Sequence, residues 1–235
     1  MNNHPDHIVK SYDGELERLR GEILRMGGLA VEQLQQGIRA LQTADSALAE
    51  RVIAEDELMD ALELEVSSDV IRLLALRQPM ATDLRVVLSS LKIAADIERV
   101  GDYAANIAKR SLALADAKPR GPIQGLAEMV EYAVDMMREV LDAYARRDAQ
   151  AAMRVRESDL DLDKRYNSLF RELITYMMED PRNISTCAHY LFIAKNIERI
   201  GDHATNIAES IWFQVEGRLP SEERPKADNT NIPTG

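Results

Sequence analysis

Pairs of carboxylates four residues apart occur at four corresponding places in this chain: Glu98 with Asp102, Glu198 with Asp202, Asp56 with Asp60, and Asp159 with Asp163. On a helix, residues at i and i+4 share a face, so each pair can present two oxygen donors to one cation. The first two pairs extend one step further to an amide, at Asn106 and Asn206. The other two each follow a valine, Val52 or Val155, by the same interval. Hard oxygen donors of this kind suit Mg²⁺, Mn²⁺ or iron, and carboxylates can also ligate zinc. The competing neutraliser is a cation of the chain itself: Arg99, Arg199, or a Lys or Arg on a facing helix. Spacing alone does not choose between them, because acids at i, i+4 are ordinary on exposed helices.

The setting of two of these pairs is duplicated. Leu91–Arg110 (LKIAADIERVGDYAANIAKR) and Leu191–Ser210 (LFIAKNIERIGDHATNIAES) lie 100 residues apart and agree at 12 of 20 positions. A long internal repeat means one structural module built twice. At about 100° per residue, Ile93, Ala94, Ile97, Val100, Gly101, Ala104, Ala105, Ile107 and Ala108 cover one broad arc. Such an arc is wide enough to touch two neighbouring helices. Glu98 and Asp102 run along its edge, where negative charge is costly unless something neutralises it. If the second and third helices of each half pack antiparallel, four carboxylates converge across each seam and call for a counter-ion.

The elements that must place these residues follow from periodicity. Asp6 to about Leu41 carries apolar residues at helical spacing (Leu16, Leu19, Ile23, Met26, Ala30, Leu34, Ile38, Leu41), with Gly27-Gly28 marking a close helix crossing. Asp45 caps a second helix that runs to about Arg77, and Gln78-Pro79 places a proline in the first turn of a third. After Pro119-Arg120-Gly121-Pro122 the plan repeats: a helix from about Ile123 to Arg147, one from an Asp148 cap to about Glu179, and one opened by Asp180-Pro181 and ending near Val215. The expected fold is all-α, as two tandem antiparallel three-helix bundles, residues 1–118 and 119–217. A polar, proline-bearing tail over 218–235 is expected to be disordered.

Composition narrows the function. A net charge of −11 argues against direct nucleic-acid binding and against adhesion to an anionic membrane. No apolar run reaches the roughly 18 residues of a membrane span. The N-terminus lacks a secretion signal, and a lone Cys187 fits a reducing compartment, so the expected location is cytoplasmic. Catalytic constellations are absent from the sequence. There is no phosphate loop and no metalloprotease or ferritin-like motif. His189 near Cys187 lacks an orienting group, and His203 reads as a hydrogen-bonded, partly buried histidine. No catalytic residue is expected.

At IERVGDYAANIAKR and IERIGDHATNIAES, together with Met26-Gly27-Gly28, Arg77-Gln78-Pro79 and Asp83-Leu84-Arg85, the sequence resembles the PhoU family of bacterial phosphate-uptake regulators, from Tyr12 to about Val215. That resemblance implies two similar three-helix bundles and a homodimer. It implies a non-enzymatic negative regulator of phosphate uptake and of phosphate-starvation signalling. Such a regulator connects the ATPase subunit of the phosphate ABC importer to a sensor histidine kinase, and meets the membrane only through its partners. The family's acid-x-x-x-Asp motif, which carries multinuclear metal clusters in some members, matches at Glu98/Asp102, Glu198/Asp202, Asp56/Asp60 and Asp159/Asp163. Metal identity stays open among Mg, Mn, Fe and Zn. Asp96 becomes Asn196 in the second copy and Asp83 has no acidic counterpart, so weaker binding is expected in the second half. The competing readings are a metal-dependent hydrolase with a carboxylate cluster on its surface, and a helical scaffold that binds no metal.

Overall fold

The computed structural model describes residues 5–115 and 122–220, with side chains from residue 12 onward. Among these residues there is no strand, and seven α-helices and one 3₁₀ turn follow each other. Helix α1 (Pro5–Thr43) buries all eight apolar positions expected from its periodicity, from Leu16 to Leu41. Of the Gly27-Gly28 pair only Gly27 makes the close crossing, where Leu141 of the second half fills the space a β-carbon would need.

The second helix of each half starts the same way. Ala44 and Arg147 take left-handed backbone angles, φ 51° and 54°, to end the preceding helix. Asp45 and Asp148 then accept hydrogen bonds from the Leu48 and Ala151 amides, each at 2.9 Å. A side-chain oxygen at this position satisfies an amide that the first turn leaves without a partner.

Three boundaries differ from expectation. The single helix expected over 45–77 is two, α2 (Ser46–Ala54) and α3 (Asp56–Arg77). Glu55 between them stays right-handed and still bonds the Arg51 carbonyl at 3.0 Å, so the axis is interrupted without a turn. The interruption lets each piece follow its own partner. Leu48, Ala49 and Val52 of α2 join Ala40 and Ala108 in a small separate core, while Met59, Leu62, Val66 and Val70 of α3 join the main one. Pro79 stands in the linker rather than in the first turn of α4 (Ala81–Ala113), because Gln78 before it turns left-handed (φ 47°) and ends α3. Asp180 caps as expected, accepting from the Arg182 amide at 3.0 Å. It opens a 3₁₀ turn over Pro181–Asn183 before α7 (Ile184–Glu216) begins.

In the second half α5 (Ile123–Arg146) and α6 (Ala149–Glu179) precede α7. The repeated helices α4 and α7 pack along one another, α1 also meets α5, and one buried apolar cluster runs through both halves. The two copies of the motif therefore lie side by side at the centre of the molecule. The tail expected from 218 lies, from residue 221 on, outside the described residues.

Candidate acidic site at the helix seams

Register on α4 delivers the first row of acids. Ile97, Val100 and Ala104 are fully buried, so Glu98 and Asp102, one step round the helix, come out half-buried at the edge of the seam. Gly101 lets α3 approach: a β-carbon there would stand 3.1 Å from Met59 Cγ and 3.2 Å from Gln33 Oε1. The approach brings the acids of α3 within electrostatic reach of those on α4. Burial, then the charge of Asp102, lifts the Glu98 carboxyl above its ordinary range, and Asp60 and Glu63 add to the effect. Asp56 is raised by burial and then by Asp102, with Lys109 opposing. Arg99 answers part of this charge, with Nη1 2.9 Å from Asp102 Oδ2 and Nε 3.5 Å from Glu98 Oε2. Asp60 is exposed.

The second seam repeats the plan with deeper acids. A β-carbon on Gly201 would lie 2.6 Å from Asp159 Oδ1 and 2.5 Å from Leu162 Cδ2, so here a carboxylate itself packs against the glycine. Asp159, Asp163 and Glu198 are only 1%, 3% and 5% exposed, whereas Asp202 is half-buried. Lys195 pairs with Glu198, with Nζ 3.0 Å from Oε2. Nearby, the buried Arg156 holds Glu209 at 2.8 Å.

The expected convergence of four carboxylates into one cluster is not what the helices build. Among the described residues no three His, Cys, Asp or Glu side chains come close enough together to hold a metal ion. The reason is local. The space over Gly101 is taken by Met59 and the buried amide of Gln33, which leaves the acids along the rim. Fit to a cation is therefore one of charge and donor type. Glu98 and Asp56 are both held above their ordinary range by burial and by Asp102, which a divalent ion would relieve.

The two departures that suggested a weaker second site belong to other parts of the molecule. Asp96 turns to the seam between α4 and α7, where its Oδ1 lies 2.7 Å from His203 Nδ1 and accepts from Asn206 Nδ2 at 3.2 Å. Asp83 sits near Tyr12, whose hydroxyl is pushed up by burial and then by the Asp83 charge. His203 is half-buried and hydrogen-bonded, as expected, and stacks at a tilt on Tyr103 with centroids 5.7 Å apart. Cys187 is fully buried and its thiol is pushed up by burial, while the His189 ring faces Arg110. The structure adds participants that the spacing did not single out: Glu63, Gln33 and Lys195. Lys195 was open to reading, since it stands three residues before Glu198 on the same helix face.

The sequence model of the PhoU domain matches residues 23–111 and again 126–211, one match over each half. The chain belongs to the PhoU family. A "phosphate-specific transport system accessory protein PhoU homolog" of Xylella fastidiosa is 52% identical over 225 residues, covering 96% of this chain and 95% of that one. A protein of the same description from Rhizobium meliloti is 50% identical over 226 residues, covering 96% and 95%. Among solved structures, PhoU of Pseudomonas aeruginosa superposes with a TM-score of 0.84 at 40% identity, covering 88% of this chain and all of that one. The PhoU phosphate transport system regulatory protein of Streptococcus pneumoniae gives 0.83 at 30% identity, covering 90% and 100%. The all-α, duplicated architecture is thus that of the PhoU family.

Proposed function

We propose that this chain is a non-enzymatic accessory regulator of a phosphate-specific transport system, repressing phosphate uptake and the starvation response when phosphate is plentiful. The observation that carries the reading is end-to-end similarity, 96% of the chain at about half identity, to proteins described as accessories of that system. It works by binding: as a cytoplasmic homodimer, it joins the ATPase subunit of the importer to the sensor histidine kinase. Among the described residues no helix is long and apolar enough to cross a membrane, which accords with reaching the membrane only through these partners.

The acid rows supply the metal-dependent part of the reading. Asp56, Asp60, Glu98 and Asp102 in one half, and Asp159, Asp163, Glu198 and Asp202 in the other, would hold divalent or multinuclear Mg, Mn, Fe or Zn. The bound metal would stiffen the bundle face or bridge to a partner. Supporting this are the burial and, after it, the neighbouring negative charge that lift Glu98 and Asp56, and the burial of Asp159, Asp163 and Glu198.

The test is genetic and biochemical together. Deleting the gene should de-repress phosphate uptake in phosphate-rich medium. The purified protein should retain the importer ATPase and the kinase on an affinity column, less well with chelator. Normal repression in the deletion strain, or no retention of either partner, contradicts the proposal.

A further inference from the structure

The repeat also shows where its two copies have been made different. Where α4 and α7 pack together, an open cleft of about 390 Å³ is lined by Asn106, Lys109, Arg110 and Ala113 from α4 and by His189 and Asn196 from α7. Both halves of the molecule contribute to it. In a chain with 40 acids against 29 Lys and Arg, this cleft carries two permanent cations, an imidazole and two amides, and no carboxylate among the described residues that line it.

The positions 100 residues away around the repeat have the opposite character. Lys109 corresponds to Glu209, Arg110 to Ser210, His189 to Ser89, Asn196 to Asp96, and Ala113 to Phe213. Four of these five differences remove negative charge, add donors or make room on the Lys109 side, and the fifth exchanges a hydroxyl for an imidazole. On the other side an internal anion is already in place: Asp96 lies 2.7 Å from His203 Nδ1 and takes a hydrogen bond from Asn206. Glu209 there is bound to the buried Arg156. The cleft with Lys109 has the donors and lacks that anion.

Its main cation is also held in position. Arg110 Cζ lies 4.0 Å over the Phe192 ring, and Nη1 stands 3.3 Å from His189 Nδ1. A guanidinium set on an aromatic face loses less side-chain freedom when it forms a forked contact to an oxyanion. Lys109, whose charge is also felt by Asp56, stands between the acid row and this cleft.

We propose that this cleft binds a phosphate-type oxyanion, as the free ion or as the monoester end of a larger molecule, and that the bound anion ties α4 to α7. Arg110 and Lys109 supply charge-assisted donors. The side-chain carbonyls of Asn106 and Asn196 can accept the proton that hydrogen phosphate keeps and sulfate lacks, which favours phosphate.

Calorimetric titration of the full chain in low-salt buffer, with orthophosphate, sulfate and adenosine monophosphate in separate arms, tests this. Orthophosphate or the monoester should bind, raise the thermal midpoint and outcompete sulfate. The tighter of the two identifies the source. Lys109→Glu with Arg110→Ser, which installs the residues of the other copy, should weaken binding by more than about tenfold, as loss of charge-assisted contacts requires. Ala113→Phe keeps every cation and removes only the space, and should weaken binding comparably, with folding checked by circular dichroism. Absence of binding by the unaltered chain, equal affinity for sulfate, or undiminished affinity in folded Ala113→Phe protein would overturn the assignment.

Discussion

Glycine-to-alanine substitution at three positions separates helix propensity from the packing of the acid seam. In a helix interior, alanine is favoured over glycine by about 1 kcal/mol. At Gly28 nothing lies within 4 Å of the added methyl, so the whole gain should appear as stability. At Gly101 the methyl meets Met59 Cγ at 3.1 Å and Gln33 Oε1 at 3.2 Å, both on flexible side chains, and gain and strain should nearly cancel. At Gly201 it meets Leu162 Cδ2 at 2.5 Å and Asp159 Oδ1 at 2.6 Å. Overpacking costs about 1–3 kcal/mol, and pushing a buried carboxylate from its place adds roughly 1–3 kcal/mol more. Against a propensity gain of about 1 kcal/mol, Gly201→Ala should lose roughly 1–5 kcal/mol net. Equilibrium unfolding in urea, with midpoints compared at unchanged slope, reads all three. If Gly201→Ala proves as stable as Gly28→Ala, Asp159 does not pack against α7 and the second acid seam is wrongly described.

Other outcomes follow from the same geometry. Glu98 and Glu15 should respond to pH in opposite senses. The folded Glu98 carboxyl lies above its ordinary 4.5, chiefly through burial, so the folded chain holds that proton longer and stability falls as pH rises through this window. Glu98→Gln should therefore stabilise at neutral pH, by less than about 1 kcal/mol after solvent screening, and the gain should fade below the ordinary value. Glu15 is held below 4.5 by its hydrogen bond to Arg77. Its contribution is present above that value and disappears as pH falls through the lowered one, so Glu15→Gln should destabilise at neutral pH and not in acid, as pH-resolved denaturation would show. Asp96→Ala leaves His203 and Asn206 without their partner across the α4–α7 seam and should cost about 1–2 kcal/mol, measured by thermal unfolding. Cys187, wholly buried and with its thiol raised, should react with a disulfide reagent only as fast as the chain opens. Rapid labelling of the native protein would contradict that.

Much of the fold was legible because its determinants are local. The apolar period of α1, the Asp45 and Asp148 caps, and the 100-residue repeat each specify structure without reference to distant residues. The site was legible only to the level of the row. Which face Glu98 and Asp102 occupy follows from the helical period, but how deep an acid lies depends on what a facing helix supplies. Met59 and Gln33 fill the first seam, whereas Asp159 itself fills the second, and Glu98 meets Arg99, one residue on, where Glu198 meets Lys195, three residues back. Asp96 misled for the same reason: its place in the motif says nothing of His203, 107 residues away. The split at Glu55 has no marker in the sequence, because the backbone there stays right-handed and no glycine or proline stands at it.

The proposed cation role of the acid rows is tested most directly by calorimetric titration of metal-free protein with Mn²⁺, for the unaltered chain and for Glu98→Ala/Asp102→Ala. The account predicts saturable binding by the first, and loss of the first-half site with the second-half site retained in the variant. Absence of binding by the unaltered chain, or an identical isotherm for both proteins, would contradict it and leave Arg99 and Lys195 as the neutralisers of these rows.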